Sequence, residues 1–277
     1  MTTIERLASN VFQKLTLGAV AVTIAAMASA GCGTRLDSRV VQVDGHAVEV
    51  ATAGSGSRTV VFESGLGSDW TSWDMVAGEV SLGARVFAYS RPGYGRSDPS
   101  TTPRDAAHIV EELRALLAAQ GYAPPYVLVG HSFGGTYMEL FAKAHPEEVA
   151  GLVLVEPRHR DFTTTCEKEA IEGCTIPAST VASLPAVQVA ELDGFVAASG
   201  QIHDAGGFGG YPVRVLTATS HWQSLSWEAL WRRMNRSLAN EADDGRQTVF
   251  DGTTHALQVE RAHEVTEVIL DLVRRSR

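Results

Sequence analysis

The sequence predicts an α/β domain whose central sheet is mostly parallel and covered by helices on both faces. Apolar runs of the kind a doubly covered strand needs, such as Val127-Leu-Val129 and Leu152-Val-Leu-Val155, alternate with segments of helical periodicity. The length, 277 residues with a globular composition, suits one large α/β domain carrying an insertion. The stretch Tyr126-Val-Leu-Val-Gly-His-Ser-Phe-Gly-Gly135 reads as a strand, a sharp turn and a helix, with a serine at the turn.

The N-terminal stretch stands apart from the fold. Arg6 and Lys14 precede an uncharged apolar run from Leu15 to Ala30, which ends in Ala28-Ser-Ala-Gly-Cys32. This predicts an export signal over residues 1–31. The run is short for a membrane span, although an uncleaved anchor stays open. Cleavage after Ala28-Ser-Ala30 gives a secreted or periplasmic chain. Alternatively, Ser-Ala-Gly-Cys32 resembles a bacterial lipoprotein signal, departing from it in having Ser29 where leucine is usual, and acylated Cys32 then tethers the domain to a membrane surface. Three cysteines leave one over once two pair. Cys166 and Cys174 lie close in one polar segment; if they are bonded rather than free thiols, Cys32 is the odd one, which favours lipidation.

Residues 40–52 form a hairpin about Asp44-Gly45 and supply an antiparallel sheet edge. Arg58 to Phe62 is the next strand, Trp70 to Val80 a helix, and Ala84 to Tyr89 a strand. Thr102-Pro-Arg-Asp105 reads as a threonine cap opening a helix, whose stripe of Ala106, Ile109, Val110, Leu113, Leu116 and Leu117 is core and not a ligand surface.

A serine on so tight a turn needs small neighbours two residues to either side, and Gly130 and Gly134 supply them. Gly130-His-Ser-Phe-Gly134 thereby resembles the nucleophile elbow of the α/β-hydrolase family, with Ser132 as nucleophile. The resemblance implies that fold, with a small inserted lid. It also implies that the loop Glu63-Ser-Gly-Leu-Gly67 supplies one oxyanion-hole N–H from Leu66, and that Phe133 supplies the other. Ser64 stands where the family commonly has histidine; the donors are backbone groups and do not depend on it. Ser90-Arg-Pro-Gly-Tyr-Gly-Arg-Ser97 resembles a further family loop that packs beside the elbow, with Ser90 replacing an aspartate.

Gly151 to Val155 is a buried-type strand ending at Glu156. Residues 158–210 show no long regular pattern and read as the lid, where Phe195 and Phe208 line the entrance or pin the lid to the body. Tyr211 to Thr217 is a strand, Ser224 to Asn240 a helix, Gln247 to Phe250 the last strand and Arg261 to Arg275 the last helix. The domain plan is residues 32–157 and 211–277 for the hydrolase core and 158–210 for the lid.

A serine hydroxyl needs a base, and the base a third group to orient it. The family's chain order is serine, acid, histidine. His255, just after the last strand, meets the requirement for the base, whereas His131 is the elbow's variable residue and His263 lies on the final helix. The acid usually follows the strand at residues 213–217, but Ala218-Thr-Ser-His-Trp-Gln223 holds no carboxylate. Glu156, at the family's other position, is therefore the acid, with Glu228 and Asp251 as rivals.

The expected activity is cleavage of a carboxylic ester or related acyl bond, with a small-molecule acyl substrate and no cofactor or metal. Lactones, thioesters, amides or peptides, and carbon–carbon bonds remain alternatives, as does an inactive binding protein. Serine at the elbow disfavours the dehalogenase and epoxide-hydrolase branches. A net charge of −9, with no basic run interleaved with aromatics, argues against a nucleic-acid surface. Oligomeric state is not legible.

Overall fold

The computed structural model describes residues 35–276. The expected leader and Cys32 lie outside them. Strands β1 (Asp37–Val43) and β2 (His46–Ala53) form the antiparallel hairpin, and its Asp44-Gly45 turn takes φ of 50° and 82°. Then come β3 (Thr59–Glu63), β4 (Arg85–Tyr89), β5 (Tyr126–His131), β6 (Val149–Val155), β7 (Val213–Ala218) and β8 (Gly245–Phe250). The sheet order is β1-β2-β4-β3-β5-β6-β7-β8; β2 runs antiparallel to β4, and every later pair is parallel. The parallel strands therefore end at one edge, which is where ligands bind in open α/β sheets.

Helices α1 (Asp74–Val80) and α10 (Ala262–Arg275) seal one face over Phe62, Trp73, Val129, Val153, Ile269 and Leu272. Helices α2 (Ala106–Ala119) and α3 (Phe133–Ala144) seal the other over Val61, Phe87, Leu113, Leu128, Phe141 and Leu154. All five residues of β3 and all six of β5 are buried, as strands covered on both faces must be.

Two local expectations are corrected. Thr102 does not cap α2; Asp105 does, accepting from the N–H groups of Ala107 and His108. The Thr102 hydroxyl is instead bonded to Glu112, which also pairs with Arg104 at 2.6 Å. The segment without a regular pattern is helical in four pieces, α4 (Phe162–Lys168), α5 (Ala178–Val181), α6 (Ala186–Phe195) and α7 (Ala198–Ala205). These helices insert between β6 and β7. Cys166 and Cys174 are joined by a disulfide, their Cα atoms 5.5 Å apart. Helices α8 (Leu225–Asn240) and α9 (Leu257–Glu260) complete the fold, and Trp227 and Trp231 of α8 pack on Phe162 and the disulfide.

Candidate active site

Ser132 joins β5 to α3 at φ 54° and ψ −119°, outside the regions L residues prefer. Gly130 and Gly134 make that turn possible. A Cβ on Gly130 would meet Gly134 O at 2.4 Å, and one on Gly134 would meet Glu63 O and Ser64 O at 2.5 Å. Helix α3 then runs from the turn, leaving its first N–H groups without intrahelical partners.

Three sequence-named residues converge on this turn. The Ser132 hydroxyl donates to His255 Nε2 at 3.0 Å, and His255 Nδ1 donates to Glu156 Oε2 at 3.0 Å. The protons are assigned by the partners: a carboxylate only accepts, so the His255 tautomer carries hydrogen on Nδ1. His255 is 42% exposed while Glu156 is fully buried, so the serine–histidine end faces solvent and the acid end is sealed. Leu66, on the loop after β3, and Phe133 have N–H groups with no partner among the described residues.

Glu156 follows β6 with φ 50°, a left-handed conformation that turns its side chain under the histidine loop. Its Oε1 accepts from Ala218 N–H at 2.5 Å and from Trp231 Nε1 at 3.2 Å. Its Oε2 accepts from His255 and, at 2.5 Å, from His221 Nε2. Burial pushes this carboxyl up, but the hydrogen bonds and charges of His221 and His255 outweigh that and hold it at about 2.

The rival acids lie elsewhere. Glu228 opens α8 and accepts from both the backbone N–H and Nδ1 of His221, each at 2.7 Å. Asp251 is exposed and makes no hydrogen bond to His255. Arg158, two residues after Glu156, donates to Thr163 Oγ1 and Cys174 O. His131 packs beneath the site and donates from Nε2 to the His255 carbonyl at 2.8 Å; burial, with the neighbouring His255 charge, pushes it down to about 3. His263 is exposed on α10. Phe195 packs on Phe133 with ring centroids 4.1 Å apart and planes tilted by 35°, and Phe208 packs on Tyr211 and under Lys143, so each holds its segment to the body.

His221 is the residue that sequence reading missed. It occupies the loop after β7, which holds no carboxylate, and a lone histidine there carries no local signal.

Ligand-type atoms of Glu156, His221 and His255 lie within 4.8 Å of one another. All are committed to the hydrogen bonds above, and His221 is held at both nitrogens. In the second such group Glu148 is engaged by Arg114 and His145 by Glu111. A cavity of about 510 Å³ opens elsewhere, between the β1–β2 hairpin and α2, and none of the triad residues lines it.

The comparisons agree with this architecture. Residues 58–205 match the alpha/beta hydrolase fold family. The uncharacterized protein YqjL of Bacillus subtilis (strain 168) is 26% identical over 230 residues, 79% of this chain and 85% of its own. Among solved structures, an epoxide hydrolase from Vigna radiata shares 16% identity with a TM-score of 0.67, covering 87% of this chain and 98% of that one. Epoxide Hydrolase A from Mycobacterium thermoresistibile shares 18% with a TM-score of 0.67, covering 86% and 98%. At these identities the likeness to the solved structures is one of fold. With the family matched over more than half its length and the sheet, elbow and inserted helices in place, the chain belongs to the α/β-hydrolase fold family.

Proposed function

We propose that this hydrolase-family chain is a serine hydrolase that cleaves a carboxylic ester or related acyl bond through an acyl-enzyme. The hydrogen-bonded line from Ser132 through His255 to Glu156 carries the reading. His255 accepts the Ser132 proton as Oγ attacks the acyl carbonyl, and the N–H groups of Leu66 and Phe133 hold the oxyanion. His255 then protonates the leaving group, and water resolves the acyl-enzyme with His255 again as base. Glu156 fixes the His255 tautomer and offsets its transient charge. Serine at the elbow favours this over the epoxide-hydrolase chemistry of the fold neighbours. A missing carboxylate after β7 favours an inactive binder; the contact of Glu156 with His255 from the end of β6 counts against it.

Export is part of the proposal. The Cys166–Cys174 disulfide supports an oxidising compartment, consistent with the apolar leader, and leaves Cys32 for acylation and membrane tethering. Among the described residues no helix is long and apolar enough to cross a membrane.

Intact mass after exposure to a fluorophosphonate tests the chemistry. One adduct is expected on the parent and none on Ser132→Ala. Labelling of His255→Ala and Glu156→Gln should slow by about 10²–10⁴-fold. A folded parent that resists both a large and a small phosphonate overturns the reading.

A further inference from the structure

The loop after β7, where the acid of such a triad commonly sits, here presents His221. Both its ring nitrogens face carboxylates: Nε2 lies 2.5 Å from Glu156 Oε2 and Nδ1 lies 2.7 Å from Glu228 Oε2. A neutral imidazole has one N–H and a carboxylate has none, so filling both contacts requires a ring protonated at both nitrogens. Glu228 also accepts the His221 backbone N–H, which fixes the loop to α8. The remaining walls are the indoles of Trp227 and Trp231, at ring-centroid distances of 5.1 and 5.3 Å. Among the described residues, the titratable groups facing His221 are Glu156 after β6, Glu228 on α8 and His255 after β8, whose ring centroid is 6.0 Å away. The balance keeps the cation: burial opposes the charge on His221, and the two carboxylates outweigh it and push the group up.

We propose that His221 is a positioning residue of the proposed triad, an imidazolium clamped between Glu156 and Glu228 that orients the acid and takes up part of its negative charge. This inference rests on the serine-hydrolase reading above. Glu156 Oε2 is shared between two donors, so it offers His255 less than a full countercharge. The cation about 6 Å from His255 also opposes placing a second charge there. Both effects weaken the electrostatic support for a proton added to the base, so the His221 charge is read in the acid limb of the pH–rate profile, which moves up when that charge is removed. The role of Glu228 is to hold the His221 charge in place, and it does not act as a second acid for His255.

The test uses the purified protein and follows fluorophosphonate labelling rate and p-nitrophenyl acetate hydrolysis against pH. His221→Gln keeps a donor to Glu156 but removes the charge, and its acid limb should move up by about one pH unit. Glu228→Gln should move it the same way by less, and the double variant should move it no further than His221→Gln alone. His221→Lys, which restores a cation, should bring the limb back toward the parent position. Acid limbs that coincide within about 0.2 unit in all four overturn the proposal, because a merely structural histidine would alter rates without moving the limb. Nitrogen NMR of ¹⁵N-histidine-labelled parent is independent of turnover and of variant folding. Protonated signals at both His221 nitrogens are expected to persist at pH 6.5, where a free imidazole is half neutral, and a neutral tautomer there overturns the proposal. Should the parent resist labelling, the serine-hydrolase reading falls while the spectrum still decides the charge on His221.

Discussion

Ser132 and Glu156 share an unusual feature, left-handed backbone at φ 54° and 50° in residues that carry side chains. Such conformations cost about 1–3 kcal/mol each and persist where the surroundings hold them. Ser132 N–H donates to Val155 O and Arg158 N–H to Ser132 O, so the elbow and the end of β6 are laced together, and the two strained residues are placed by one hydrogen-bonded seam. Gly134 tolerates no side chain, because the Glu63 and Ser64 carbonyls at the end of β3 stand 2.5 Å from where a Cβ would lie. Gly134→Ala must push the end of β3 and the loop after it away. It is expected to cost about 1–3 kcal/mol in denaturant stability and to slow fluorophosphonate labelling at least about 10-fold, with the fold intact by circular dichroism. Unchanged labelling would show that the loop moves without disturbing the Leu66 donor.

At the scale of elements, the inserted helices are tied to the sheet by charge. The buried residue of α6 is Glu191, which accepts from Arg91 Nε at 2.8 Å and Nη2 at 2.9 Å and from Tyr94 Oη at 3.1 Å. Arg91 in turn donates to Glu63 Oε1 at 2.6 Å and to the carbonyls of Ser64 and Gly65. Burial opposes its charge, but Glu191 and Glu63 outweigh that and hold the guanidinium cationic. The inserted segment is thus latched to the loop that carries Leu66. Glu191→Ala leaves part of a buried cation unpaired and is expected to cost about 3–5 kcal/mol, read as a fall in thermal midpoint and faster proteolytic cleavage between α5 and α7. Both readouts at parent values would mean that the aromatic contact of Phe195 with Phe133 seats the segment without the charge.

Over the whole molecule, buried neutral histidines make the fold sensitive to acid. Burial and the His255 charge push His131 down to about 3, and burial and the Arg160 charge push His159 down to about 4. The unfolded chain binds these protons near pH 6.5 and the folded chain does not, so stability falls as pH drops below about 6.5. Near pH 5 unfolding should take up about two protons through this pair, a slope of about 2–3 kcal/mol per pH unit. Below about pH 4.5 the loss extends to Glu156 and Glu49, whose folded values lie at about 2 and whose stabilisation disappears as pH falls toward that value. His221 has the opposite sign, since its raised value favours the folded state below pH 6.5 and that contribution is lost on the alkaline side. Urea midpoints across pH 4–8 check the acid slope, and a flat response between pH 6.5 and 5 would contradict it.

The sheet, the elbow and most helices were legible because short-range rules decide them. Apolar runs mark strands covered on both faces, Asp44-Gly45 accepts two positive φ angles, and only glycine fits at 130 and 134 around a turn that tight. Ser132, Glu156 and His255 could be named as one group because the resemblance to the hydrolase family supplies their order along the chain and the strand pattern puts each at a strand end. Other features needed the tertiary structure. The pieces α4 to α7 lack a continuous apolar stripe and hold their place through Glu191, Phe195 and the Cys166–Cys174 bond. The cap of α2 passed from Thr102 to Asp105, and the Thr102 hydroxyl is bonded instead to Glu112, about two turns into the helix. The sequence ranked Glu156 above Glu228, but the contact itself, across 99 residues and at 3.0 Å between the ends of β6 and β8, is a tertiary fact. Neither the position of His221 nor the charge it carries has a local signature, since its carboxylate partners come from two other elements. The sequence by itself determined which elements form, because backbone sterics and burial act over a few residues; only the tertiary structure decided which charged groups share a buried site, because that depends on where distant segments end.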